Sequence, residues 1–177
     1  MQGALATGAV VSVKEWKQPA IKAIVLPAHA ATTQNQTKTI SITNITVSEA
    51  VAGGGFTQVF SANNPVCGSN LGAFNTEFGD NGEMNASGVI LPPPPDGTNL
   101  QVSANTANDV DSTNTNCFFL NPDPCVVDIP VNSTNGDFTL SGEPVNGFND
   151  GDNQVTFGFS CLDAPPCQLV FNILDPG

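Results

Sequence analysis

The sequence predicts an all-β protein: a single antiparallel β-sandwich over residues 37–177, preceded by an apolar N-terminal segment, 1–36. Three observations predict it. Short apolar stretches alternate with a period of two residues. Asn, Thr, Ser, Gly and Pro fill the spaces between them, a turn-rich composition. No segment beyond residue 55 carries the 3.6-residue periodicity of a helix.

The elements follow in order. Thr39-Ile40-Ser41-Ile42-Thr43 alternates cleanly, then changes phase at Asn44 before Ile45 and Val47, the mark of a β-bulge. Phe56–Phe60 is a second strand after Gly53-Gly54-Gly55. Val89-Ile90-Leu91 runs into four prolines, Pro92–Pro95, which cannot lie inside a central strand and so form a connection. Leu100 and Val102 alternate after the Asp96-Gly97 turn. Cys117–Leu120, Val126–Val131 and Phe138–Leu140 follow, the last two separated by an Asn135-Gly136 turn. Val155, Phe157 and Phe159 make the cleanest stripe in the chain. Gln168–Leu174 closes it with Leu169, Phe171 and Ile173 on one face. Eight or nine such strands with closely spaced turns predict a sandwich or barrel. The core must come from Phe, Val, Ile, Leu and Ala: there is no Tyr, the one Trp is Trp16, and all 11 Phe lie between Phe56 and Phe171.

The N-terminal segment differs from this body. Gly3–Val13 and Ala20–Pro27 are apolar runs broken by Lys14-Glu15-Trp16-Lys17, and neither reaches the ~20 residues that span a bilayer. Pro27-Ala28-His29-Ala30-Ala31 offers an A-x-A site with cleavage expected after Ala30, which makes His29 a leader residue. GALATGAVV resembles the apolar core of a bacterial twin-arginine export leader, without the paired arginines. The other reading is an assembly arm, in which Ile21, Ile24, Val25 and Leu26 add to the sheet edge of another subunit.

Charge narrows the function. All four lysines (Lys14, Lys17, Lys22, Lys38) precede residue 39, there is no Arg, and the only histidine is His29. Of the 16 acidic residues only Glu15 lies upstream, so the body from Thr39 carries 0 − 15 = −15. Such a surface repels phosphate backbones, which excludes nucleic-acid partners. It also lacks the imidazole, amine or guanidinium that most enzyme mechanisms use, so no catalytic role is expected. The remaining enzymatic route is a carboxylate pair, as in glycoside hydrolysis. Glu77, Asp80, Glu83, Asp109, Asp111 and Glu143 are candidates that no context distinguishes, and the body has no Trp or Tyr platform for a sugar.

Five cysteines in a turn-rich chain indicate disulfides and an oxidising compartment. Cys117 and Cys125 bracket Asn121-Pro122-Asp123-Pro124, and Cys161 and Cys167 bracket Leu162–Pro166. The expected pairs are therefore Cys117–Cys125 and Cys161–Cys167, with Cys67 left unpaired or bridging to a second chain. Calcium is the metal that the remaining side chains could hold, through carboxylate, Asn and backbone oxygens. Candidates are Asn149, Asp150 and Asp152 in Asn149-Asp150-Gly151-Asp152-Asn153, and Asp109 with Asp111. Asp80-Asn81-Gly82-Glu83 and Asn121-x-Asp123 are lesser ones. None has EF-hand spacing, and the same residues also simply make turns. Asn35, Asn44, Asn85 and Asn132 stand in N-x-S/T sequons.

Pro95-Asp96-Gly97-Thr98-x-Leu100-x-Val102-Ser103-Ala104 resembles the opening of a bacterial immunoglobulin-like domain of the invasin/intimin type. Asn132-Ser133-Thr134-Asn135-Gly136-Asp137-Phe138-Thr139-Leu140 resembles a later strand–turn–strand of that family. The insert around Cys117 and Cys125 departs from its pattern, as does everything before residue 89. The resemblance implies a seven-stranded sandwich used as a stalk or adhesion module. Together these readings lead to an exported, extracellular or cell-surface structural protein, adhesive or filament-forming, that associates with itself or with surface partners. The alternative is a secreted calcium-dependent, lectin-like carbohydrate-binding module, and behind it a carboxylate-only hydrolase.

Overall fold

The computed structural model describes residues 36–75, 81–108, 115–120, 124–147 and 152–174. They form ten strands: β1 Thr39–Ala50, β2 Phe56–Asn63, β3 Asn70–Asn75, β4 Gly82–Leu91, β5 Asn99–Asn108, β6 Thr115–Cys117, β7 Val126–Pro130, β8 Asp137–Val145, β9 Asp152–Ser160 and β10 Cys167–Leu174. The fold is all-β, with no helix among the described residues. One sheet has the order β2-β1-β4-β8, and the other β3-β10-β9-β5 with β6 and β7 both lying along β5. All pairings are antiparallel except β3 with β10, which is parallel. The antiparallel sandwich that the sequence predicts is present, with one parallel pair at that edge. The chain reaches it by leaving the first sheet after β2, so β3 starts at the same end of the molecule as β10.

Alternation places the core. On β4, Met84, Ala86 and Ile90 are buried between half-exposed neighbours, and on β9 Val155, Phe157 and Phe159 are fully buried. β1 shows how phase is handled. Ile40 and Ile42 point inward, and then Ile45 and Val47 do, because the pairing with β4 shifts register between Ile42 and Asn44. One extra residue turns even positions into odd ones, the bulge that the Ile/Val spacing predicts. A chain of aromatic contacts crosses the core. Phe118 meets Phe157 edge-on at 6.3 Å, Phe157 packs on Phe171 at 5.0 Å, and Phe171 stacks on Phe60 at 4.5 Å. Each such pair contributes about 0.5–1.5 kcal/mol beyond its buried area.

The prolines and turns lie where the sequence puts them. Pro92–Pro95 carry the chain from β4 in one sheet to β5 in the other. Before β8, the Asn132 side-chain carbonyl accepts from Thr134 N at 2.8 Å and Asn135 N at 3.3 Å, while Gly136 N donates to the Asn132 carbonyl at 2.7 Å. Gly136 has φ +81°, and a Cβ there would run into the Ile90 carbonyl oxygen, so only glycine fits.

Strand directions sort the connections into two ends. β1, β3, β5 and β10 begin, and β2, β4, β7 and β9 finish, at the end that holds the prolines, the β2–β3 connection and the β9–β10 connection. At the other end lies the glycine-rich β1–β2 turn; β3, β5 and β8 finish there and β4 and β9 begin.

Candidate functional site

Disulfides position both flanks of the sandwich. Cys117 is joined to Cys125, as the spacing predicts, with Cα atoms 5.0 Å apart. The bond closes an excursion between β6 and β7, both of which pair with β5, Cys117 opposite Asn105 and Val126 opposite Ser103. Phe118 and Phe119 dive into the core from it, both 1 % exposed. Phe119 forms a bridge with Val145 of β8, Leu120 N donates to the Pro144 carbonyl at 3.1 Å, and Asn146 N to the Phe118 carbonyl at 2.7 Å. The Asn146 amide adds bonds to the carbonyls of Cys117 at 3.1 Å and Phe119 at 3.3 Å. One sheet is thereby sewn to the other along the β5/β8 flank.

The second bond overturns an expectation. Cys167 pairs with Cys67, Cα atoms 4.9 Å apart, and Cys161 is the free thiol. The reason is register. Cys167 lies opposite Phe159 in the β9–β10 hairpin, so Cys161 falls two residues into the turn, not across from it. Meanwhile Gly68 N donates to the Gln168 carbonyl at 2.7 Å and Val170 N to the Ser69 carbonyl at 3.1 Å, which brings Cys67 alongside Cys167. Cys67 is thus neither unpaired nor available to a second chain.

Cys161 lines a depression of about 410 Å³ with Asn99, Gln101, Asp128, Ser160 and Leu162. Asn99 and Gln101 come from β5, Asp128 from β7 and Ser160 from the last position of β9. Amides, a hydroxyl and a carboxylate can bind polar groups there. The thiol is buried, and burial pushes it above its ordinary value of 9.0, with the Lys38 ammonium pulling the other way. A thiol held protonated is a poor nucleophile. Lys38 reaches Asp163 at 3.8 Å, but Asp163 is 72 % exposed and so exposed a pair contributes little.

Of the principal calcium candidates, only Asp152 lies among the described residues. Asp109, Asp111, Asn149 and Asp150 lie outside the described residues, and Asp152 opens β9. The backbone still relates the two acidic connections, because Asn108 at the end of β5 is the Cα partner of Asp152. The 109–114 and 148–151 connections therefore spring from one paired position. Among the described residues no group of three or more His, Cys, Asp or Glu side chains gathers as a metal site. Ile21, Ile24, Val25 and Leu26 also lie outside the described residues. Of the sequons, Asn44 sits within β1 and donates to the Asn63 side chain at 2.9 Å.

The open flank carries a feature that the alternation pattern did not single out. β2 pairs with β1 on one side and ends the sheet on the other. Its first residue, Phe56, is 55 % exposed. The strand FTQVFSAN has neither charge nor proline. Absence of the charges and prolines that normally guard an edge was the available signal.

Comparison with protein-family models, curated proteins and solved structures finds no match to this chain. No described helix is long and apolar enough to cross a membrane, which leaves β-barrels unaddressed.

Proposed function

We propose that this chain is an exported, extracellular or cell-surface structural protein, an immunoglobulin-like stalk or adhesion module that associates with itself. The observation that carries the reading is strand order. β1-β4-β8 and β5-β9-β10 are neighbours in the sense of strands A-B-E and C-F-G of an immunoglobulin sandwich, in the same chain order. β7 then adds beside β5, as the extra strands of variable-type domains do beside C, and strand D has no counterpart among the described residues. The likeness departs from the antibody type in lacking a cysteine pair between β4 and β9. It also places Pro95–Ala104 at a mid-domain turn and strand, with β1–β4 ahead of it. Two disulfides support an oxidising compartment. The chain enters the sandwich at one end with β1 and leaves β10 at the other, an arrangement suited to modules in line.

Antibody labelling of intact source cells tests the reading. Signal before permeabilisation is expected; signal only after it would sink a surface role. A second reading, calcium-dependent carbohydrate binding, draws support from the Asn108–Asp152 pairing that anchors two acidic connections together. A melting temperature that drops in EDTA, together with glycan binding lost in EDTA, is its required outcome, and an unchanged melt removes it.

A further inference from the structure

We infer that β2 is a self-association edge: two copies of this chain join antiparallel, β2 against β2, into one continuous sheet about a two-fold axis. The inference rests on the self-associating reading above and names its joint. A strand at a sheet edge presents unpaired backbone donors and acceptors, and proteins that stay apart protect such edges with charge, proline, bulges or cover. The edges of this sandwich can be compared one by one. β8 carries Asp137, Glu143 and Pro144, and its last residues are covered by the bond from Leu120 and the bridge from Phe119. β7 carries Asp128 and Pro130, and β6 is three residues long. β3 is interrupted by Gly72 at φ +104° beside a register shift against β10. β2 has eight residues with no charge and no proline; it carries one bulge, at Val59 between Gln58 and Phe60, on the side paired with β1.

Charge selects the occupant. A body of −15 meets like charge when a second copy approaches it, so copies can join only where carboxylates are missing. The one carboxylate on the neighbouring β1, Glu49, is 8 % exposed and turned away from solvent. Pairing β2 with itself brings no like charges opposite each other and covers Phe56, half of whose surface is otherwise in water. The two-fold operator makes the patch its own complement.

Light scattering on eluting peaks tests the joint with four proteins: the full chain, the chain starting at Ala31, and full-length Phe56→Lys and Gln58→Lys. Both lysine positions lie on the exposed strand, so unchanged circular dichroism will certify the fold. The expected result is a dimer for the full and shortened chains and a monomer for both lysine variants, with at least tenfold weaker association. Dimers that survive both lysines overturn the β2 joint while leaving self-association in place. Assembly of the full chain alone, lost on starting at Ala31, transfers the joint to residues 20–26 and also overturns it. Monomers throughout at about 100 μM, which would put any dimer Kd well above that concentration, remove both the joint and the self-associating reading.

Discussion

The two flanks of the sandwich solve the same problem differently. Along β5 and β8 a short disulfide-closed excursion drives Phe118 and Phe119 between the sheets and ties their backbones together. Along β10 and β2 a long-range disulfide and the stacked pair Phe60–Phe171 hold the layers, yet among the described residues β2 ends its sheet with no strand beyond it. The first flank is closed by chain, the second by a bond. The difference shows that stapling the layers of a sandwich and protecting its edges are separate tasks. A disulfide accomplishes the first without the second.

The contrast can be broken at either side, and the largest effect is expected at the long-range bond. In the chain-entropy relation a loop of 100 residues is worth up to about 4.7 kcal/mol. Cys67→Ser should therefore lower the calorimetric stability by several kcal/mol; a loss under about 1 kcal/mol would mean that the second flank holds without its bond. Phe118→Ala on the closed flank removes a ring with 1 % exposure and should cost about 3–5 kcal/mol in a denaturant titration. Phe56→Ala on the open flank should stay within about 0.5 kcal/mol. Equal losses for the two would erase the distinction between the flanks. Cys117→Ser opens a loop of sequence separation 8 and should cost about 2.5 kcal/mol by the same entropy relation. Thr106, beside β6 on the closed flank, is 3 % exposed with no hydrogen-bond partner for its hydroxyl among the described residues. Thr106→Val should leave stability unchanged or raise it by about 1 kcal/mol, and a clear loss would reveal a partner.

The smallest effect is one of pH. Burial raises the Cys161 thiol, so the folded state holds its proton more tightly than the unfolded state does. That contribution is complete below the ordinary value of 9.0 and is lost as pH rises through the higher folded value. Wild-type melting temperature should fall from about pH 9 upward more steeply than that of Cys161→Ser, and parallel curves would show that Cys161 does not titrate differently on folding.

Much of the fold was legible because period-2 burial needs only a sequence to be seen. Ile40, Ile42, Ile45 and Val47 announced both the strand and its bulge, and Val155, Phe157 and Phe159 announced the central strand of the second sheet. β3 was missed because Asn70-Leu71-Gly72-Ala73 lacks alternation and is held by its parallel partner. The first half of β4 was missed because small residues such as Ala86 mark its inward face. Disulfide pairing illustrates the limit most clearly. Cys117 and Cys125 meet through local chain reversal, which spacing reports. Cys67 and Cys167 meet through the neighbouring β3–β10 register, which spacing does not report. Of the candidate sites, the acidic connections were legible as residues, and only strand pairing showed that one begins beside the point where another ends. The openness of β2 required knowing which strand ends the sheet.

The Cys67–Cys167 bond also sets how the molecule answers a pull. In the proposed stalk role, tension would be applied before β1 and after β10, at opposite ends of the sandwich. The covalent path between those points runs β1, β2, across the bond, and straight along β10. It bypasses a sequence separation of 100, about 340 Å of backbone at ~3.4 Å per residue. β3 to β9 are thereby out of the line of force, and only β1, β2 and β10 would bear the load.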